Sequence, residues 1–106
     1  MFARRVTMQL KPNSVAEFTQ RLEKEIVPLL RRQKGFQDEI TFVALGGLEA
    51  FAISLWERAE DAEAYNRKTY PAVMRILATL VDGVPRVETF EVANSTFHKI
   101  RVAVAA

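Results

Sequence analysis

On either side of Gly46-Gly47 lie two alternating runs that are apolar on both of their faces. Ile40, Phe42, Phe51, Ile53 and Leu55 share one parity, and Val43, Leu45, Ala50, Ala52 and Trp56 share the other. A strand pair of this kind needs cover on both sides. Burying an aliphatic or aromatic side chain stabilises by about 1.5 to 3 kcal/mol, so leaving several in water forfeits about 10 kcal/mol and invites aggregation. The chain has 106 residues and no cysteine, which leaves it neither a second sheet of its own nor a disulfide staple. The expectation is a homodimer in which two identical sheets pack face to face.

The other periodicities supply one set of helices and two more strands. Phe2, Val6, Met8 and Leu10 alternate with Ala3, Arg5, Thr7 and Gln9, which predicts strand one. Pro12 stops it, and Ser14 with Glu17 has the spacing of a capping box. Val15, Phe18, Leu22, Ile26, Leu29 and Leu30 then recur at steps of three and four, a one-sided helical stripe that ends at Gly35. Pro28 inside that stripe predicts a kink or a tightened last turn.

Strand two begins at Phe36, on the parity of Ile40 and Phe42. The Gly46-Gly47 pair predicts a tight turn with positive φ at both central positions. Strand three, Ala50 to Glu57, sets Phe51, Ile53 and Leu55 against Ala50, Ala52, Ser54 and Trp56. Carboxylates from Glu57 to Glu63 favour a helix start, and Tyr70-Pro71 divides that helix into 60–69 and 71–82, with Gly83 as its end. Val84 to Asn94 predicts strand four, and His98, Ile100, Val102 and Val104 predict a further strand at about 96–104 that reaches the partner subunit. The order is a ferredoxin-like βαββαβ arrangement, an α+β fold with one antiparallel sheet in a single domain, 1–106, extended by the C-terminal strand.

Fifteen Lys and Arg against thirteen Asp and Glu leave a net charge of +2, with the signs interspersed, so the chain lacks the basic stripe of a nucleic-acid binder. The longest apolar stretches, such as Ile26 to Leu30, are five residues where roughly 20 are needed to span a membrane, so no membrane association is expected. Gln9 and Lys11 interrupt any apolar leader near the N-terminus, and a cytoplasmic location is the expectation. No phosphate loop or nucleophile elbow is present, and helix-start electrostatics accounts for Glu57, Glu60, Asp61 and Glu63 without a metal. Neither a metal nor a cofactor is expected.

The candidate chemistry rests on a few side chains. Trp56 stands on the parity of Ala50, Ala52 and Ser54, where small side chains leave room for a flat ligand that the indole can stack on or that the indole itself fills. Tyr70 sits at the helix break, where its phenol can reach a pocket, and Asn66 precedes it by four residues on the same helix face. Trp56, Tyr70 and Asn66 are the candidate catalytic residues. Thr7 and Gln9, on the polar parity of strand one, either line a cavity or meet the partner; with Tyr65 and Met74 they are the candidate substrate contacts. His98, a lone imidazole, reads as a surface or interface residue.

Several stretches resemble the antibiotic biosynthesis monooxygenase superfamily of dimeric α+β barrels. They are Ile26-Val-Pro-Leu-Leu-Arg followed by Lys34-Gly35-Phe36, the strand Ala52-Ile-Ser-Leu-Trp56, and the acidic helix start Glu57-Arg-Ala-Glu-Asp-Ala62. The resemblance runs from about residue 4 to about residue 95 and implies a dimer with a pocket between sheet and helices in each subunit. It further implies a cofactor-independent monooxygenase that oxidises an electron-rich aromatic or quinol with dioxygen. The alternative is a non-catalytic dimeric module that binds or senses a small apolar molecule. Heme-degrading members use an Asn on strand one, the strand-three Trp and a His on the second helix. Only the Trp is matched here, by Trp56; Val6 and Met74 hold the other places, and iron has no axial ligand. In some cofactor-independent members an Asn lies four residues before the Trp, where this chain has Ala52.

Overall fold

The computed structural model describes residues 1–100. Its elements are β1 (Phe2–Leu10), α1 (Val15–Arg21), a π-helical turn (Leu22–Ile26), α2 (Val27–Arg31), β2 (Phe36–Val43), β3 (Glu49–Trp56), α3 (Ala59–Lys68), α4 (Tyr70–Leu77) and β4 (Val81–Glu91). The strands form one antiparallel sheet in the order β2-β3-β1-β4, which is the split βαβ pattern that the periodicities predict.

All the helices cover one face of this sheet. Val6, Met8 and Leu10 of β1 and Ala50 and Trp56 of β3 turn toward them and are buried. Phe18, Ile26 and Leu30 descend from the first helical unit, and Ala62, Tyr65, Val73 and Leu77 from the second. Trp56 and Phe18 are the largest fully enclosed side chains. This places Trp56 on the helix side.

The opposite face is apolar and open. Ile40, Phe42 and Phe90 are 53%, 43% and 44% exposed, and Phe42 stacks on Phe51 with centroids 4.8 Å apart. Arg5 lies on the same side, ion-paired to Glu88 at 2.8 Å with its guanidinium 5.3 Å from the Phe90 ring centroid.

Several local expectations give way to tertiary packing. Phe36 pairs with Trp56, but Asp38 pairs with the very next residue, Leu55, so Gln37 is the extra residue of a β-bulge. The bulge flips the parity: Phe36 joins the helix face, edge-on to Trp56 at 5.6 Å, while Ile40 and Phe42 stay on the open face. Ser14 and Glu17 do not form the capping box. The Ser14 hydroxyl bonds to the Lys11 carbonyl, and Glu17 pairs with Arg21 one turn on.

Pro28 widens the helix instead of tightening it. Its ring crowds the carbonyl of Lys24, and the turn before it relaxes into π geometry, with Val27 N–H bonding to the Leu22 carbonyl. In the hairpin loop only Gly47 has positive φ, +74°, and the turn is longer than two residues, since Ala44 N–H reaches Glu49 O at 2.8 Å. Leu45 is left fully exposed at its tip.

The second helical unit stops at Leu77, before the sequence-based boundary, and β4 begins at Val81. Leu80 and Val81 are buried core residues, and Gly83, φ +70°, is no helix end but part of an irregularity inside β4, where Arg86 pairs with Thr7 and Asp82 with Gln9. The expected strand at 96–104 is not formed over 96–100, and residues 101–104 lie outside the described residues. Instead, His98 bonds to the carboxylate of Asp38 on β2 of its own chain.

Candidate functional site

Between the sheet and the helices lies an apolar cavity of about 50 Å³. Small residues make this possible: Ala52 and Ser54 of β3 form its floor, beside Val6 and Met8 of β1. Its roof is Phe18, Leu22, Ile26 and Leu30, two of them in the π turn that Pro28 forces. Tyr65 from α3 and Tyr70, Val73, Met74 and Leu77 from α4 close the side.

Besides the two phenols, a guanidinium and a carboxyl reach this apolar space, those of Arg4 and Glu39. Arg4 is 3% exposed. Its guanidinium lies 4.1 Å from the Tyr70 ring centroid and 5.2 Å from that of Tyr65, the geometry of a cation held by aromatic faces. One nitrogen donates to Asn66 Oδ1 at 2.8 Å. Among the described residues no carboxylate pairs with it. Burial lowers the Arg4 pKa, against the opposing pull of the two phenols. Arg4 also hydrogen-bonds the Tyr70 phenol, and since a guanidinium stays protonated in any ordinary buffer a positive charge stands in the cavity.

The phenols are set by the same surroundings. Burial pushes Tyr65 up to about 12, with the Arg4 charge working the other way, and burial likewise raises Tyr70. Both are neutral donors near pH 7. Glu39, on the helix face of β2, has its carboxyl pKa raised by burial, while a hydrogen bond from Thr41 counteracts.

The structure sorts the candidate residues. Tyr70, Tyr65 and Met74 line the cavity. Asn66 is exposed and holds Arg4 from behind. Trp56 is wholly enclosed and outside the lining; its indole N–H donates to Ser54 Oγ at 2.8 Å and its ring packs on Tyr65 at 5.1 Å, so it fills core space and braces the floor. Thr7 and Gln9 pair with Phe51 and Glu49 on the open face of the sheet, away from the cavity, because β1 alternates and Val6 and Met8 take the helix side. Val6 and Met74, where the heme degraders carry Asn and His, do line the cavity and bring no imidazole to it.

Two lining residues outside the candidate set, Arg4 and Glu39, carry a signal in the sequence. Arg4 shares the parity of Phe2, Val6, Met8 and Leu10, and a charge at a core position of a strand is itself the signal of a site. Glu39 shares the parity of Thr41 and Val43, facing Ala52 and Ser54.

Fold and cavity together define a ferredoxin-like α+β protein with an apolar chamber between its sheet and its helices. No protein-family model matches the chain, and no curated protein matches it in sequence. Solved structures do match in fold. A monooxygenase from the gene ActVA-Orf6 of Streptomyces coelicolor, in complex with nanaomycin D, superimposes with a TM-score of 0.75 at 14% identity, over 92% of each chain. SnoaB, a cofactor-independent oxygenase from Streptomyces nogalater, gives 0.73 at 12% identity, over 92% of this chain and 97% of its own. A protein of unknown function from Nitrosomonas europaea gives 0.74 at 20% identity, over 92% and 94%. The fold is that of the antibiotic biosynthesis monooxygenases. No helix among the described residues is long and apolar enough to cross a membrane.

Proposed function

We propose that this chain is a cofactor-independent monooxygenase of the antibiotic biosynthesis monooxygenase type, acting as a homodimer on a small electron-rich aromatic such as a quinol or an anthrone-like ring. The observation that carries the reading is the buried Arg4 guanidinium, stacked on Tyr70 in a chamber otherwise made of hydrocarbon and aromatic surface. Such a chamber takes an apolar ring and holds a negative charge that develops on it, since a preorganised cation in a water-poor site is worth far more than one in water.

Deprotonated aromatics of this kind are reductants in their own right. For an anthrone-type methylene, dioxygen supplies one oxygen atom to the ring carbon and loses the other as water with that carbon's two hydrogens, so atoms and electrons balance with no further reductant. The residues' work is then to bind the ring, exclude bulk water and hold the anion: Met74, Val73 and Leu77 by contact, Tyr65 and Tyr70 as neutral donors, Arg4 by charge. The chamber is small, so a multi-ring substrate requires the half-buried Tyr70 and Met74 to move outward. The open apolar face of the sheet, with Ile40, Phe42 and Phe90 half exposed, supports the dimer.

One observation favours the second reading, a binding or sensing module: Trp56 and Asn66 stand outside the lining. Oxygen uptake with a panel of quinols and anthrones separates the two. The expected outcome is uptake above the buffer rate that falls by about 100-fold in Arg4→Met. Quenching of Trp56 fluorescence by the same compounds with no oxygen uptake overturns the oxygenase and leaves the binding module.

A further inference from the structure

Arg4, Ser54 and Glu39 occupy one lateral row across three strands. Ser54 of β3 is the register partner of Arg4 on β1 and of Glu39 on β2, so all three project to the helix side at the same level. Neighbouring strands place such partners about 5 Å apart, which sets the Arg4 and Glu39 backbones about 10 Å apart with only the short Ser54 side chain between them. Both side chains line the cavity, yet no ion pair joins them. A cation and a carboxyl therefore look into one apolar chamber from two sides, above a floor low enough to admit another atom.

We infer that Arg4 and Glu39 together select the ligand: an aromatic or enolic molecule whose hydroxyl gives its proton to the Glu39 carboxylate and whose resulting oxyanion is held by the Arg4 guanidinium. The inference rests on the reading of the cavity as an aromatic-binding site and adds to it the ionisable hydroxyl and the residues that recognise it. Proton and charge balance: Glu39 becomes the neutral acid, the ligand becomes the anion, and the sum over the site is unchanged. The phenols and Ser54 leave room for this exchange, while Thr41 donates a hydrogen bond to Glu39 that favours its carboxylate form. Tyr65 and Tyr70 stay neutral and do not compete for Arg4 as anions, and Ser54 spends its acceptor on the Trp56 indole N–H. Burial already raises the Glu39 pKa, which makes its carboxylate a better proton acceptor than an exposed one. An aromatic without a hydroxyl has nothing to offer either pole, and a permanently charged aromatic carboxylate leaves the Glu39 anion facing a second negative charge.

Para-nitrophenol is a direct probe, because its anion is yellow and its neutral form is not; para-nitroanisole is the same ring with no proton to give. At a pH one unit below the free phenol's pKa, saturating wild-type protein turns bound para-nitrophenol yellow and binds it at least 10-fold more tightly than para-nitroanisole. Arg4→Met abolishes the colour and the preference while still binding para-nitroanisole, and Arg4→Lys keeps the colour in part. Calorimetry in buffers of different ionisation enthalpy counts protons: wild type releases none on binding the phenol, and Glu39→Gln releases one per yellow anion formed. Equal binding of both probes with no colour overturns the inference and leaves the aromatic site standing. Colour that persists in Arg4→Met, or an unchanged proton count in Glu39→Gln, also overturns it. Failure of both probes to bind overturns the aromatic-site reading itself.

Discussion

Replacing Phe42 by Ser tests the pairing of two sheets at its centre. Phe42 is 43% exposed and stacked on Phe51 on the side of the sheet away from the helices. For a side chain of about 200 Å², that exposure leaves about 85 Å² to be covered by a partner, worth about 2 kcal/mol at 25 cal/mol per Å². A two-fold interface contains the position twice, so Phe42→Ser weakens dimerisation by about 4 kcal/mol, roughly 1000-fold in the dissociation constant. Sedimentation velocity over a concentration series reads that constant, with circular dichroism confirming that the variant keeps its fold. The native protein is expected to sediment at twice its 12.0 kDa chain mass and Phe42→Ser to dissociate at micromolar concentration. A native 12.0 kDa species at tens of micromolar, or an unchanged constant in the variant, refutes the argument that this face is covered by a second copy.

Two further outcomes follow from the packing. Trp56→Phe removes the indole N–H bond to Ser54 and part of a fully enclosed ring, so urea unfolding reports a loss of about 2 kcal/mol. Affinity for a quinol changes by less than about twofold, because the ring lies outside the lining; lost binding with unchanged stability would put the indole against the ligand. Tyr65 supplies a pH test. Its folded pKa of about 12 lies above the unfolded value of 10, so between those two values the unfolded chain surrenders a proton that the folded chain keeps, and stability falls with rising pH. The loss across that window is about 3 kcal/mol, seen as a falling urea midpoint that Tyr65→Phe flattens; a midpoint equally steep in Tyr65→Phe assigns the loss to other groups.

Strand parity and helical stripes are local properties, and the element order could be read from them. Phe2 through Leu10, the stripe from Val15 to Leu30, and the alternation of Ala50, Ala52, Ser54 and Trp56 each carry their own periodicity, whatever the rest of the chain does. So does the excess of apolar residues on both faces of β2 and β3, which calls for more cover than one set of helices provides. The room above Ala52 and Ser54 was legible for the same reason: two small side chains in a row leave a hollow in any sheet.

Where phase is interrupted, local pattern loses its meaning. The bulge at Gln37 moves Phe36 to the face opposite Ile40, and no periodicity announces an extra residue. Pro28 declares a disturbance but not its form, since a carbonyl crowded by the ring is relieved equally by a kink or by a wider turn, and packing over the cavity decides for the π turn. The site depended most on tertiary structure. Arg4 and Asn66 are 62 positions apart, and only the crossing of α3 and the start of α4 over β1 brings the amide to the guanidinium and the Tyr65 and Tyr70 rings over it. A sequence can place a charge on a buried parity; whether that charge meets a carboxylate, a carbonyl or an open chamber depends on which distant elements arrive above it.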